Sequence, residues 1–170
     1  FVPSEVEGAL ARTHHIRPST TLGTNEVWEL SSFKTLDDLK DVTGKRALVR
    51  VDLNVPMADG KVSDDTRLRA TLPTVTELAD RGAIVLLLAH FGRPKGERRA
   101  DMSLSSVVEA YREVLGRPVR FIDDCHGEDA KAAVATMNPG DVAVLENTRF
   151  HAGEEKNDPA LAAAMAELGD

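Results

Sequence analysis

The sequence predicts an α/β fold, namely a doubly wound, Rossmann-like parallel sheet with helices on both faces. Apolar runs of strand length alternate with amphipathic segments of helix length, and this order is typical of a parallel sheet. The apolar runs are continuous rather than alternating, as expected for strands covered on both faces. With 170 residues, 42% of them hydrophobic, the chain can bury the core of one compact domain.

Residues 1–32 are predicted to be a disordered tail, and residues 33–170 form the predicted domain. The tail is rich in Ser, Thr, Gly and Pro and lacks a sustained apolar period, so it cannot offset the entropy of ordering. His14 and His15 have no partner carboxylate or thiol nearby, and we predict no metal ligands in the chain. Because the chain begins at Phe1 without an apolar leader, we expect its natural start to lie elsewhere.

The domain is predicted to begin with a strand and a hairpin. Arg46–Val51 is a run of β-branched and aliphatic residues, which predicts the strand. Within Met57–Val62, Asp59 and Gly60 suit the left-handed positions of a type I′ turn. This segment therefore predicts a small hairpin after the strand.

The first predicted helix begins after Asp64 and Asp65, which are suitable N-cap residues, and ends before Gly82. Pro73 lies inside it and is expected to kink or split it. Spacings of three and four residues line up one apolar stripe along this helix, which runs through Arg67, Leu68, Leu72, Val75, Leu78 and Ala79.

The order of strand then helix continues to the end of the chain. Ile84–Ala89 predicts a strand buried on both faces, and Ser103 caps a helix that runs to Leu115 before Gly116 and Pro118. The remaining predicted elements are a strand at Val119–Ile122, a helix at Glu128–Met137, a turn at Asn138–Asp141, a strand at Val142–Leu145 and a helix at Asp158–Leu168, with Pro159 at its first position and Gly169 at its end.

Polar and cationic residues follow three of the predicted strands. In parallel sheets, ligands bind outside the carboxyl ends of the strands, so these side chains are expected to meet at one edge. Guanidinium groups match the oxygens of carboxylates and phosphates, which predicts a site for a small, oxygen-rich anion. The candidate residues are Asp52 and Asn54 after the first strand, Arg67 in the following helix, His90 and Arg93 after the second, and Arg149 after the Val142–Leu145 strand, where Glu146 and Asn147 also lie.

Each candidate also has a purely structural interpretation. Asp52 and Asn54 can form an Asx-turn that leaves the strand, and His90 can be a core histidine. The cations that follow, Lys95 and the pair Arg98 and Arg99, fit a solvated loop. The recurrence of polar groups at three strand ends favours the anion site, because polar residues with unrelated structural roles would not usually collect at the same edge of a sheet.

Charge and cysteine content exclude several other classes of function. The net charge of −7 repels polyanions as a whole, so nucleic-acid binding would depend on a local patch such as RPKGERR. Only 4% of residues are aromatic, which argues against a single-strand binding surface.

The single Cys125 excludes an internal disulfide and is not expected to be a nucleophile. No apolar run is long enough to cross a bilayer, and neither GxxxxGK[ST] nor GxGxxG occurs.

Four separated motifs resemble the N-terminal domain of the phosphoglycerate kinase family. They are RALVRVDLNVP, DGKVSDDTRLRATLPTVTELADRGA, LLLAHFGRPKG and AVLENTRFHAGEEKNDP. The resemblance runs in order from about Phe33 to Asp170 and covers nearly all of the predicted fold. It implies that the chain is the incomplete N-terminal part of a two-domain kinase whose nucleotide-binding C-terminal domain is absent.

The resemblance also implies a glycolytic activity, reversible phosphoryl transfer between 1,3-bisphosphoglycerate and ADP, giving 3-phosphoglycerate and ATP. Arg67 would stabilise the phosphoryl group in flight, Asp52 and Asn54 would orient the substrate, and the distal phosphate would be held by His90, Arg93 and Arg149. Mg²⁺ with ADP or ATP would bind the absent domain. The protein would be a cytoplasmic monomer without nucleic-acid or membrane partners, and this chain would be inactive alone. A non-catalytic anion-binding module is the alternative.

Overall fold

A computed structural model describes residues 34–170, so the predicted tail with His14 and His15 lies outside the described residues. The strands and helices follow one another in the predicted alternating order. In chain order they are β1 (Arg46–Arg50), β2 (Met57–Ala58), β3 (Lys61–Val62), α1 (Thr66–Asp80), β4 (Ile84–Leu88), α2 (Ser105–Leu115), β5 (Val119–Ile122), α3 (Gly127–Ala135), β6 (Val142–Leu145) and α4 (Pro159–Ala166). Short 3₁₀ turns occupy Leu36–Asp38, Ala100–Met102 and Thr148–Phe150.

Four strands form one parallel sheet in the order β1-β4-β6-β5, which confirms the predicted fold class. The central strand β4 is buried along its whole length, and its register places Leu48 opposite Leu86 and Leu86 opposite Ala143. Because side chains alternate between the two faces of a strand, a continuous apolar run supplies a core on each face.

Helices cover both faces of this sheet, and each face has its own core. On one face Val85 and Leu87 pack with residues of α1 and α2, including Leu68 and Tyr111. On the other face the intervening residues of β4, with Leu86 at the centre, pack with residues of α3 and α4. The two cores fix the position of the carboxyl edge, because every strand between them is held on both sides.

The hairpin forms as predicted at β2 and β3. Asp59 and Gly60 have φ angles of 50° and 74°, which are the left-handed values that a type I′ turn requires. The Ser63 backbone N–H donates to the Pro56 carbonyl at 3.0 Å and closes the base of the hairpin. The chain then enters α1, where the Asp64 carboxylate accepts a hydrogen bond from the Thr66 N–H at 2.8 Å.

Of the two effects expected of Pro73, a split of α1 is wrong, because the helix is continuous from Thr66 to Asp80. Pro73 lies on the exposed side, where water can donate to the Arg69 carbonyl that lacks its usual helix donor. The buried Leu68 and Val75 on either side of it are both in the core, so packing holds both halves of the helix against the sheet. The last helix also ends earlier than predicted, at Ala166.

Candidate functional site

The three residues that follow β6 are buried and hold the neighbouring loops in place. We call Glu146, Asn147 and Thr148 the polar anchor. The Asn147 side-chain oxygen accepts hydrogen bonds from the N–H groups of Phe91 at 3.1 Å and Arg149 at 3.0 Å. Its nitrogen donates to the carbonyls of Phe91 at 2.6 Å and Met102 at 2.9 Å. Asn147 therefore joins the loop after β4 to the loop after β6.

Glu146 fixes the start of α2. One carboxylate oxygen accepts from the Leu104 N–H at 2.9 Å and the Asn147 N–H at 2.7 Å, and the other accepts from the Ser103 hydroxyl at 2.7 Å. The Ser103 hydroxyl in turn accepts from the Ser105 N–H at 3.1 Å. The predicted cap Ser103 lies one residue before the N-cap position of α2, which Leu104 occupies without a side-chain cap. A buried carboxylate is thus supplied with donors rather than left unpaired.

Asp52 and Arg67 meet directly at the end of β1. One oxygen of Asp52 accepts from the Asn54 N–H at 2.9 Å, forming the Asx-turn, and the other accepts from the Arg67 guanidinium at 2.6 Å. Partial burial alone would raise the pKa of Asp52, but the Asn54 N–H and the Arg67 charge outweigh it and the pKa lies below its usual range. The structural and functional interpretations of Asp52 are therefore compatible.

Asn54 and Arg149 both form hydrogen bonds to the backbone of the same residue, Gly92. The Asn54 side-chain oxygen accepts from the Gly92 N–H at 2.9 Å, while the Arg149 guanidinium donates to the Gly92 carbonyl at 3.2 Å. Gly92 has a φ of 61°, a left-handed conformation that glycine adopts without a Cβ penalty. The ends of β1, β4 and β6 are therefore connected through one residue.

A half-buried carboxylate, Glu154, orients Arg149. Its two oxygens accept from Arg50 at 2.7 Å and Arg149 at 3.2 Å. Burial alone would raise the pKa of Glu154, but hydrogen bonds and charge from the two arginines lower it overall. Glu154 is thus ionised at neutral pH and fixes one face of the Arg149 guanidinium, whose Nη1 reaches Gly92.

His90 is half-buried at the end of β4. Burial, followed by the positive charges of Arg149 and Arg50, lowers the pKa of His90, while the negative charges of Asp52 and Glu154 oppose this in part. The imidazole is therefore neutral at pH 7, and a neutral imidazole can still donate one N–H to an anion. These influences place His90 among the same charged groups, so it is not an isolated core histidine.

Arg93 differs from the other five candidates. It is exposed, and within the described residues it forms no hydrogen bond or ion pair with the others. The loop that carries it turns sharply, with Lys95 at a φ of 60° and Gly96 at a φ of 80°. A Cβ on Gly96 would lie 2.8 Å from the Cβ of Ala152, so this loop is pressed against the loop that carries Arg149.

The cations that follow Arg93 are exposed, as expected for a solvated loop, yet two of them have acidic partners. Arg98 pairs with Asp123 and lies 5.8 Å from the centre of the Phe150 ring. Arg99 pairs with Asp101 at 3.0 Å. The RPKGERR segment therefore presents less free positive charge than its sequence suggests, which argues against a nucleic-acid patch.

Cys125 is fully buried, and burial together with the nearby Asp124 charge raises the pKa of its thiol to about 12. A protonated, inaccessible thiol is a poor nucleophile, in line with the sequence interpretation. No helix within the described residues is long and apolar enough to cross a membrane.

The structure thus gathers Asp52, Asn54, Arg67, His90 and Arg149 at one edge, and places Arg93 on the exposed loop beside them. We call these six residues the anion edge. Sequence reasoning noted Glu146 and Asn147 but gave them no role, and it missed Glu154. Polar residues directly after a fully apolar strand were the available signal for the polar anchor.

Together, the fold and this site define a parallel α/β domain with cationic and polar groups collected at the carboxyl edge of its sheet. The family model described as phosphoglycerate kinase matches residues 36–170. This match covers most of the chain, so the chain belongs to the phosphoglycerate kinase family.

Individual relatives agree with this assignment. The phosphoglycerate kinase of Rhizorhabdus wittichii is 70% identical over 139 residues, and that of Zymomonas mobilis is 66% identical over 139 residues, in each case over 82% of this chain and 35% of the relative. The chain therefore spans about a third of the length of these curated relatives.

Solved structures give the same result. The phosphoglycerate kinase of Coxiella burnetii superposes with a TM-score of 0.70 at 34% identity, covering 82% of this chain and 34% of that chain. The enzyme of Pyrococcus horikoshii superposes with a TM-score of 0.69 at 33% identity, covering 79% of this chain and 34% of that chain. The predicted resemblance is confirmed.

Proposed function

We propose that this chain is the phosphoglycerate-binding part of a phosphoglycerate kinase, which catalyses reversible phosphoryl transfer between 1,3-bisphosphoglycerate and ADP to give 3-phosphoglycerate and ATP. The observation that carries the proposal is the connection of three strand ends at Gly92, which receives the Asn54 side chain at 2.9 Å and the Arg149 side chain at 3.2 Å. This arrangement supports a preorganised site for a phosphorylated carboxylic acid.

Arg67 is assigned to the phosphoryl group in flight. Phosphoryl transfer passes through a loose transition state with charge on its equatorial oxygens, so catalysis depends on positioning and electrostatic stabilisation. Arg67 is half-exposed and is held at one side by Asp52 at 2.6 Å. Its remaining N–H groups are available to the transferred group.

The other five residues are assigned to binding the acid. His90, Arg93 and Arg149 would hold the distal phosphate, with the neutral imidazole donating one hydrogen bond and the guanidinium groups supplying charge. Asp52 and Asn54 would orient the hydroxyl and carboxyl region. The Asn54 oxygen is bonded to Gly92, so its NH₂ group is the part that faces the substrate in this proposal.

The residues described here do not fit Mg²⁺ with ADP or ATP. Within residues 34–170 the cluster of potential metal ligands consists of Asp124, His126 and His151, whereas Mg²⁺ prefers oxygen ligands in octahedral geometry. We therefore assign the magnesium nucleotide to a C-terminal domain outside this chain and derive no step through it. The chain alone is expected to have no kinase activity.

The remaining assignments belong to the same proposal. The substrate is a small molecule, the complete protein is a cytoplasmic monomer of glycolysis and gluconeogenesis, and neither nucleic acid nor membrane is a partner. The paired state of Arg98 and Arg99 supports the absence of a nucleic-acid partner.

A coupled assay of the complete protein tests the proposal. With ATP and Mg²⁺, the protein should phosphorylate 3-phosphoglycerate but not glycerol 3-phosphate, which has the distal phosphate but lacks the acceptor carboxylate. The 170-residue chain should show no turnover under the same conditions. Transfer to both compounds at similar rates would contradict the proposal, and transfer to neither would favour a non-catalytic anion-binding module.

A further inference from the structure

Three metal-ligating side chains lie together beside the edge strand β5, outside the anion edge. Asp124, His126 and His151 each offer one ligand atom, and these atoms all lie within 4.8 Å of one another. His126 Nε2 is 3.3 Å from His151 Nδ1, and His151 Nε2 is 3.0 Å from an oxygen of Asp124. All three residues are half-buried, so the cluster is sheltered but open to solvent.

The fold holds this cluster between two loops. Asp124 and His126 lie between β5 and α3, on either side of the fully buried Cys125. One Asp124 oxygen accepts from the Cys125 N–H at 2.7 Å and lies 3.0 Å from His151 Nε2, and the other oxygen forms no hydrogen bond within the described residues. His151 follows the 3₁₀ turn after β6, and its N–H donates to the Thr148 carbonyl at 3.2 Å. Both loops are therefore held by the core rather than by the cluster itself.

Two imidazoles and one carboxylate are a ligand set for late first-row divalent cations, of which Zn²⁺ is the commonest in proteins. Metal bonds of about 2.0–2.2 Å hold tetrahedral ligand atoms roughly 3.4 Å apart. The two histidine nitrogens already lie 3.3 Å apart, and the carboxylate reaches the same centre by a side-chain rotation, for which its half-exposed position leaves room.

We propose that Asp124, His126 and His151 form a three-ligand site for Zn²⁺, with a fourth position open to water. The metal replaces the hydrogen bond between the two imidazoles and ties the β5–α3 loop to the loop that carries Arg149. This site is separate from the anion edge, and the proposal does not rest on the kinase assignment. A bound metal that ties two loops of the native state stabilises that state against unfolding.

Calorimetric titration of the purified 170-residue chain with Zn²⁺ tests the site. We expect one Zn²⁺ per chain, with affinity reduced at least about tenfold in each of the variants His126→Ala, His151→Ala and Asp124→Asn. Asp124→Asn keeps an acceptor for the Cys125 N–H and so preserves the loop. Excess Mg²⁺ should not compete, because it prefers oxygen ligands.

The adjacent histidines His14 and His15 provide the matched control. The double variant His14→Ala/His15→Ala should bind Zn²⁺ as tightly as the unaltered chain. Affinity that is lost in this double variant, or unchanged in both His126→Ala and Asp124→Asn, would overturn the proposal.

Cobalt supplies a second, spectroscopic measurement that reports geometry. Co²⁺ gives intense visible absorption in a four-coordinate site and weak absorption in a six-coordinate one. We expect intense bands that disappear in His151→Ala, together with a melting temperature that rises with Zn²⁺ and returns to its original value with EDTA. Saturating Co²⁺ without intense bands would contradict the four-coordinate site.

Discussion

The polar anchor and the anion edge contain similar polar side chains, but their surroundings differ. Glu146, Asn147 and Thr148 are at most 2% exposed, whereas the side chains of Arg67 and Asp52 remain 52% and 54% exposed. In the anchor, the polar atoms of the side chains are satisfied by protein groups. At the anion edge, guanidinium and imidazole N–H groups remain available to a ligand.

In the proposed function, this difference separates a region that determines geometry from a region that binds the substrate. Buried polar networks are costly when broken, because each unpaired group keeps its desolvation penalty. Exposed charges contribute little to stability but are available to bind. Substitutions in the anchor should therefore affect folding, and substitutions at the edge should affect binding or catalysis.

The largest expected effect is on catalysis at the anion edge. In the complete protein, Arg67→Ala should lower kcat by about 10²–10³-fold, or roughly 3 kcal/mol, because a transition-state donor is lost. The free energy of unfolding should change little, since the Arg67–Asp52 pair is exposed. Arg69→Ala is the matched control, because Arg69 lies on the same helix and pairs with Asp65. The kcat of this variant should be unchanged. An unaltered kcat in Arg67→Ala would show that Arg67 does not stabilise the transferred phosphoryl group.

The next effect is on the stability of the polar anchor. Asn147→Ala removes four hydrogen bonds and leaves buried backbone groups unpaired, so we expect the free energy of unfolding to fall by about 3 kcal/mol. Urea denaturation measures this change. Asn138→Ala, at an exposed turn, should change it by less than about 0.5 kcal/mol. Equal losses in the two variants would show that the hydrogen bonds of Asn147 contribute no more to the free energy of unfolding than an exposed turn residue does.

A smaller effect is expected where the two loops of the site touch. Gly96→Ala combines a left-handed φ of 80° with a contact of 2.8 Å to Ala152, and it should destabilise the protein by about 2–3 kcal/mol. Gly60→Ala has a similar φ of 74° but nothing within 4 Å, so it should cost only about 1 kcal/mol. The difference between the two, measured by thermal denaturation, isolates the close contact between the loops.

The smallest effect concerns the pH dependence of stability. The pKa of Glu154 is lowered in the folded state, so its contribution is present above its ordinary pKa and is lost as pH falls through the folded value. Glu154→Gln should reduce stability at pH 7 by about 1 kcal/mol and flatten the loss of stability that occurs as pH falls below the ordinary pKa of glutamate. Glu155→Gln, whose carboxylate is exposed and 3.9 Å from Arg149, should keep the original pH profile.

Much of the fold could be predicted from sequence because its strands and turns are locally encoded. The apolar run Ile84–Leu88 and the Asp59–Gly60 turn needed no knowledge of distant residues. The continuity of α1 through Pro73 could not be predicted, because it depends on packing against the sheet. Local propensity gives way to tertiary contacts at such positions.

For the candidate site as well, the residues could be predicted from sequence but their tertiary contacts could not. Convergence at one edge follows from the parallel order of the strands, so the candidate residues could be named in advance. Their contacts could not, because the contact of Asn54 and Arg149 with Gly92 depends on loop conformation. The pairing of Arg98 with Asp123 and the meeting of His126 with His151 likewise join residues 25 positions apart in the chain.

The most direct test of the account is an NMR titration of the 170-residue chain with 3-phosphoglycerate. We predict chemical-shift changes at the backbone amides of Gly92 and its neighbours, and their loss in Arg149→Ala. Arg117→Ala is the matched control, because Arg117 precedes β5 at the opposite edge of the sheet and pairs with Asp80, and it should retain the shifts. Equal shifts in the unaltered chain and Arg149→Ala would contradict phosphoglycerate binding at the anion edge.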